Sequence, residues 1–385
     1  MISVCCCAIN AKNEIDTFVR SLVRHNHGVN FEIVITHDDR VDDGSGAHLE
    51  SLQKEFPGLQ LKVVRHTNEM VLDYLERLLA YYEGKFPSEM VSALRKNLER
   101  YKHGDKSFVD PAQTFLWLSS GVLYNKAVAA SSGDILIITP ADFVYLFSLK
   151  RAEEEVAAKS KLGHYYSKPN ALFARIGNQE KEWLTTLLNE VHAGPRAREG
   201  WRWDSQEPFR DYLKTPTKLS SLYLLNFYKP ELICLDSDEF IAKAAELSVA
   251  SRVNGGMQRL PTFHGFHVMT RKTYDHIGGF TEEFYGRAYA DDKMTWHGLN
   301  SPAPAQTPDW MDVAWCAPYF LSACQAEYYP PGWGEKLPLI DPYSGRHPSS
   351  PCFPKYLHEG IFPSDGQYYE VVRRLLNPHG PVVRF

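Results

Sequence analysis

The chain has 385 residues, 44% hydrophobic and 13% aromatic, which suffices for a sizeable core in one large domain or two smaller ones. Its formal net charge is −5, and Lys/Arg clusters such as Arg95-Lys96 lie among acids, so a nucleic-acid partner is not expected. Seven cysteines, an odd number with three in a row at 5–7, exclude a disulfide framework and read as reduced, mostly buried thiols, and with no CxxC pair a structural zinc site is not expected.

In chain order, residues 2–9 (ISVCCCAI) form a continuous apolar run, the pattern of a strand buried on both faces. Asn10-Ala11-Lys12-Asn13-Glu14 leads into a helix with Phe18, Val19 and Leu22 on one face, Asn13 as its N-cap, and Glu14 and Asp16 in its first turn. A second strand, 31–36, runs into His37-Asp38-Asp39-Arg40, and a short amphipathic helix follows with Leu49, Leu52 and Phe56. A third strand covers 59–64, so strand and helix alternate as in a parallel sheet with crossover helices. The link 66–118 carries a helical insertion, 70–103, with one apolar stripe at Leu72, Leu75, Leu79 and Tyr82 and another at Met90, Leu94 and Leu98. A helix at 119–132 returns the chain to a strand at 134–139, which ends in Pro140-Ala141-Asp142. Helices are expected at 145–160 and 180–191, a loop with Trp201 and Trp203 at 195–220, a strand at 262–270, and a helix at 272–277 before the Gly278-Gly279 turn. Residues 328–354 are rich in Pro, Gly and aromatics and are expected to pack over the body of the fold.

Ligands of open α/β sheets bind at the carboxyl ends of the strands, which puts Asp142 where a metal-bound phosphate would sit; a plain turn Asp is the alternative. For His37-Asp38-Asp39-Arg40 the alternative is a solvated loop with a local ion pair. His264-Gly265-Phe266-His267 does not make a zinc site, because residues three apart on a strand face opposite sides. The segment after the first strand, NAKNE, has no glycine, which argues against a dinucleotide-binding dehydrogenase and a sugar nucleotidyltransferase. No basic leader precedes the first strand, and no apolar run approaches the ~18 residues of a membrane span, so a cytoplasmic protein, at most peripheral at a membrane, is expected.

Three blocks, in order, resemble the family-2-like glycosyltransferases of the GT-A fold. They are SVCCCAIN with FEIVITHDD, then LYNKAVAASSGDILIITPAD, then HIGGFTEEFYGRAYADD. The sequence departs from the family pattern at Ile9, His37, Tyr124 and Pro140, the last standing where the first acid of the metal motif is usual.

The resemblance implies an α/β GT-A fold over 1–325, with a mostly parallel central sheet flanked by helices, the insertion at 66–118, and an extension at 326–385. It implies an inverting transferase that moves a sugar from a nucleotide-diphosphate sugar, UDP ahead of GDP, to a hydroxyl of a glycan or small-molecule acceptor. By that resemblance Ala8, Ile9, Asn10, Asp38 (or its neighbour Asp39), Arg65, Asn125, Ala141 and Asp142 line the donor site. Asp142 would hold Mn²⁺ or Mg²⁺, with a C-terminal histidine, His347, His358 or His297, as second ligand. Asp292 would be the general base and Asp291 would bind hydroxyls; two acids opening a helix at 293–299 are the alternative. His264 and Gly265 would lie on the acceptor side. The insertion is expected to shape the acceptor cleft or an oligomer contact. A catalytically silent GT-A domain that binds glycans or serves as a scaffold is the competing reading, favoured by Pro140.

Overall fold

The structure is a computed structural model, and it describes residues 1–8, 12–39, 44–86, 88–104, 120–141, 143–159, 163–167, 171–173, 236–253, 266–283, 293–294, 297–298, 313–316 and 380–385. Four strands, β1 (Ile2–Ala8), β2 (Phe31–Asp38), β3 (Gln60–His66) and β4 (Ile135–Pro140), lie parallel in the order β3-β2-β1-β4. This is the adjacency expected from the sequence. Beyond β4 the sheet continues with β8 (Phe266–Thr270), antiparallel to β4, and β6 (His164–Ser167), antiparallel to β8. The chain is therefore a mixed α/β protein with a mostly parallel central sheet flanked by helices.

The apolar runs follow from burial on both faces. Ile2, Val4 and Cys6 of β1, Ile33 and Ile35 of β2, Ile137 of β4 and Val268 of β8 join one core cluster. That cluster is completed by Ile15, Phe18, Val19 and Leu22 of α1 (Lys12–His25), Leu49 and Leu52 of α2 (Ser45–Glu55), and Ala152 and Val156 of α6 (Leu149–Lys159). The alternate residues Cys5, Val34, Leu136, Ile138 and Met269 face a second cluster with Tyr124, Ala127 and Val128 of α5 (Ser120–Ala130) and Tyr274 and Ile277 of α8 (Arg271–Ile277). Cys5, Cys6 and Cys7 are free thiols, and burial pushes the Cys5 thiol up to about 12. At the amino edge, Gly133 lies against β1 so closely that a Cβ there would stand 2.5 Å from Ser3 Oγ and 2.7 Å from the Met1 carbonyl oxygen.

Several boundaries differ from expectation. Asn13 lies inside α1, not at its cap, and Phe56 follows α2 instead of belonging to it. His37 and Asp38, placed beyond the second strand by the sequence, are its last two residues, because both pair with β3 through Arg65 and His66. The insertion is two helices, α3 (Asn68–Tyr82) and α4 (Ser88–Lys102), and Leu75, Tyr82, Leu94 and Leu98 of its stripes are buried.

Three features had no counterpart in the sequence reading: the strand β6, already described at the edge of the central sheet, and two more. One is a small sheet of β5 (Phe143–Tyr145), β9 (Val313–Cys316) and β7 (Ala171–Phe173), in the order β5-β9-β7. The other is α7 (Ser237–Val253), packed on α1. Its start carries a reciprocal cap: Glu239 N donates to Asp236 Oδ1 at 2.8 Å and Asp236 N donates to Glu239 Oε2 at 3.4 Å. The expected helix at 180–191, the loop at 195–220 and the segment 328–354 lie outside the described residues.

On the sheet edge, His164 of β6 and His267 of β8 are both buried, with Nε2 of the first 3.2 Å from Nδ1 of the second. Burial lowers His164 from the ordinary 6.5 to about 4. The unfolded chain thus takes up this proton at higher pH than the native protein. The stabilisation is complete above pH ~6.5 and is lost as pH falls toward ~4, by about 3 kcal/mol in all. Urea unfolding between pH 7.5 and 4.5 should show this loss in the wild type and a correspondingly smaller one in His164→Phe. Equal losses in the two proteins would contradict the assignment.

Candidate functional site

The parallel register brings several predicted residues to one edge. Ala8 pairs with His37, Cys7 with Pro140, and Asp38 with His66, so the carboxyl ends of β1, β2, β3 and β4 stand side by side. Strand order reverses at β1, between β2 on one side and β4 on the other. That is the switch point at which open α/β sheets hold ligands. Ala8 and Ala141 are buried there, and Asp38 is 1% exposed. Ile9, Asn10 and Asp142, which continue from these strand ends, lie outside the described residues.

The reading of 37–40 as a solvated loop is corrected for two residues: His37 and Asp38 are buried within β2. A chain of polar contacts runs beside them, with the ion pairs at Arg65. His37 Nδ1 is 2.8 Å from Asp39 Oδ1, Arg65 Nη1 is 3.4 Å from Asp39 Oδ2, and Arg65 Nη2 is 3.4 Å from Glu50 Oε1. Arg65 is more than half exposed, so these contacts contribute little stability and leave the guanidinium free to exchange partners.

Lys126 of α5 is a cation the sequence reading passed over. Its Nζ donates to His66 Nδ1 at 2.7 Å and lies 3.1 Å from Met70 Sδ. Burial lowers its pKa, while the carboxylates of Glu282, Asp73 and Asp38 oppose that shift.

The second half of the site is the turn after α8. Thr270 caps α8 by accepting from Thr273 N, and Gly278 ends it at φ 93°. Gly279 follows at φ 79°, where a Cβ would lie 2.8 Å from Tyr274 Oη and 3.0 Å from Asn125 Oδ1. Only glycine meets both requirements. Asn125, which the resemblance put in the donor site, faces this turn. Its Nδ2 donates to Phe280 O at 2.9 Å and Glu282 Oε1 at 2.6 Å, and its Oδ1 accepts from Phe280 N at 3.0 Å and from the Tyr274 hydroxyl. The amide's two donors and two acceptor sites are all used. Any part it takes in donor binding is therefore indirect, through the turn.

The two acids after the turn were not singled out by the sequence. Glu282 and Glu283 are both buried. Glu282 Oε2 accepts from Phe385 N at 2.9 Å, and Glu282 N donates to Val383 O at 2.8 Å, so residues 380–385 are strapped along the turn. Glu283 pairs with buried Lys293 at 2.6 Å and accepts from Tyr81 Oη at 2.6 Å. Tyr74 and Tyr82 of α3 donate to the carbonyls of Glu282 and Glu283, each at 2.9 Å. The signal available in the sequence was the tyrosines on one side of α3.

His297 Nε2 lies 2.9 Å from the carbonyl oxygen of Gly380. Asp291, Asp292, His264, Gly265, His347 and His358 lie outside the described residues. Among the described residues no group of three or more His, Cys, Asp or Glu is arranged to hold a metal ion. No helix among them is long and apolar enough to cross a membrane.

No family model matches the chain, and no curated protein sequence matches it. Solved structures similar to it include S. aureus TarS 1-349, at 12% identity over 84% of this chain with TM-score 0.36; the chain spans 62% of that one. Another is the mannosyltransferase PcManGT from Pyrobaculum calidifontis in complex with GDP-Man and Mn²⁺, at 11% identity, covering 97% of this chain and 73% of that one, TM-score 0.38. A third is mouse xyloside xylosyltransferase 1 in apo form, at 12% identity, covering 80% of this chain and 84% of that one, TM-score 0.33. Likeness at this level carries neither activity nor ligand across to this chain.

The Asn125 arrangement is testable by unfolding. Asn125→Ala leaves several buried groups unsatisfied and should lower stability by at least about 3 kcal/mol. Asn125→Asp keeps the shape but turns a carboxylate oxygen toward Phe280 O and Glu282 Oε1, so at neutral pH it should be the less stable of the two. Urea titrations in which both variants match the wild type would contradict the bonding described.

Proposed function

We propose that this chain is a glycosyltransferase that uses a nucleotide-diphosphate sugar. The observation that carries the reading is convergence. The sequence blocks that resemble the family are far apart in the chain, yet their described parts meet in the fold. The ends of β1, β2 and β4 are neighbours, and Asn125 of the second block is hydrogen-bonded to Phe280 of the third. A sheet edge with a buried carboxylate, a cation and a fixed turn suits a polar, charged ligand.

In this reading Asp38 accepts from an N–H of the base, uracil ahead of guanine, with Asp39 as the alternative acceptor. Ala8, Ile9 and Asn10 line the base and ribose, and Ala141 leaves room for the diphosphate. Arg65 lies at the same edge and can turn toward the phosphates. Asp142 supplies the protein carboxylate for Mn²⁺ or Mg²⁺. The donor set fits a hard divalent ion, because one carboxylate suffices where phosphate oxygens and water complete the shell. When bound, the ion neutralises charge on the leaving diphosphate. Asp292 removes the proton from the acceptor hydroxyl as the hydroxyl attacks, and Asp291 binds hydroxyls. One base acting directly on the acceptor gives a single displacement with inversion. His264 and Gly265 lie on the acceptor side, and a C-terminal histidine, His347 foremost, is the further ligand.

A second reading, a silent domain that binds glycans or serves as a scaffold, is favoured by Pro140 at the end of β4 where an acid is usual. Thermal-shift screening of nucleotides and nucleotide sugars with and without Mn²⁺ separates the two, since a ligand of the native state raises stability by mass action. The enzyme reading predicts Mn²⁺-dependent stabilisation that Asp142→Ala weakens by at least about tenfold in affinity. Asp292→Asn should lower transfer roughly 10²–10⁴-fold with donor affinity nearly unchanged, while Asp291→Asn raises the Michaelis constant more than it lowers turnover. Equal nucleotide affinity in the wild type and Asp142→Ala would remove the metal assignment. Normal turnover in both Asp variants would remove the base.

A further inference from the structure

Glu283 is an unusual place for a carboxylate. Both its side chain and that of Lys293 are 3% exposed, and the two groups are 2.6 Å apart. Taking both charges out of water costs several kcal/mol per ion, so an ion pair this deep is weak evidence of stabilisation. It is better explained by what it fixes. Glu283 Oε1 also accepts from Thr281 Oγ1 at 3.1 Å, and Oε2 accepts from Tyr81 Oη at 2.6 Å. Burial, then the carboxylate itself, pushes the Tyr81 phenol well above its ordinary range, so it stays a donor. One carboxylate thus gathers α3, the end of the Gly-Gly-Phe turn and residue 293.

Lys293 follows Asp291-Asp292 directly in the sequence. We propose that Glu283 is a positioning residue: through Lys293 it anchors the acidic pair, and through Tyr81 it couples that anchor to the helical insertion. This rests on the glycosyltransferase reading for what the pair does, but not for the anchoring itself. Tyr81 also packs edge-on against Phe385 with ring centres 5.6 Å apart, and Lys85 Nζ stands 3.5 Å from the centre of the Tyr81 ring. The phenol is therefore held from both sides, and α3 cannot shift without moving the carboxylate's donor.

The test combines amide exchange over residues 284–292 with steady-state transfer on the full chain. Glu283→Gln should speed exchange there by about tenfold or more and Tyr81→Phe by less, with the sheet strands unchanged. In the same proteins turnover should fall by at least about tenfold for Glu283→Gln, with donor affinity within about twofold, since misplacing a base costs rate and not ground-state binding. A role in stability alone would lower the melting temperature without that split. If Glu283→Gln does not fold because Lys293 is left charged, Glu283→Gln/Lys293→Met, which removes both charges, and Tyr81→Phe give the reading. Wild-type exchange in 284–292 as fast as in the variants, or no change in the folded variants, would overturn the proposal. Absence of transfer by the wild type from any nucleotide sugar would instead end the glycosyltransferase reading, and exchange alone would then decide the anchor.

Discussion

A buried side-chain amide must have its hydrogen bonds made, and Asn125 shows what that requirement builds. Its four contacts tie α5, which covers one face of the sheet, to a turn some 155 residues later in the chain. An Asp or a Leu of similar size would leave the Phe280 backbone or the Tyr274 hydroxyl without a partner. The turn in turn needs Gly279, because the amide and the Tyr274 phenol occupy the space of a Cβ. Once the turn is fixed, Glu282 and Glu283 point inward. Their charges are met by Asn125, by the backbone of residues 380–385, by Tyr81 and by Lys293. Much of the polar interior beside the sheet is thus one connected set of bonds, and a partly satisfied set of this kind is costly.

The electrostatics of the edge follow from the same arrangement. Carboxylates of Asp38 and Glu282 act on half-buried Lys126, whose own burial lowers its pKa. Buried acids at this edge would repel a bare diphosphate, a repulsion that the divalent cation of the proposed function would offset. The three tyrosines of α3 that reach Glu282 and Glu283 make the insertion part of the wall behind that turn.

The central strands were legible because each is buried on both faces, which leaves an unbroken apolar run such as Ile135–Ile138. Helices α1, α3 and α4 were legible from their apolar stripes. The short strands β5, β6, β7 and β9 were not, since three or four residues carry too little pattern to separate from loop. The start of α7 was readable in Asp236-Ser237-Asp238-Glu239 as a capping box and was missed because its apolar residues do not fall on one clear stripe. His37 and Asp38 were placed outside β2 because polarity suggested a loop, whereas pairing with β3 extends the strand through them. Of the site, the sequence indicated the sheet edge and the glycine turn. Glu282 and Glu283 were passed over because two consecutive acids ordinarily mark a solvated surface, and only tertiary contacts with α3 and Lys293 bury them.

The most direct measurement is a crystal grown with a nucleoside diphosphate and Mn²⁺, with an anomalous difference map at the manganese edge. The account predicts one manganese peak beside the carboxylate of residue 142, with the diphosphate across the switch point between β1 and β4 and the base against Ala8 and Asp38. A nucleotide bound elsewhere on the protein, or a manganese peak remote from residue 142, would contradict it.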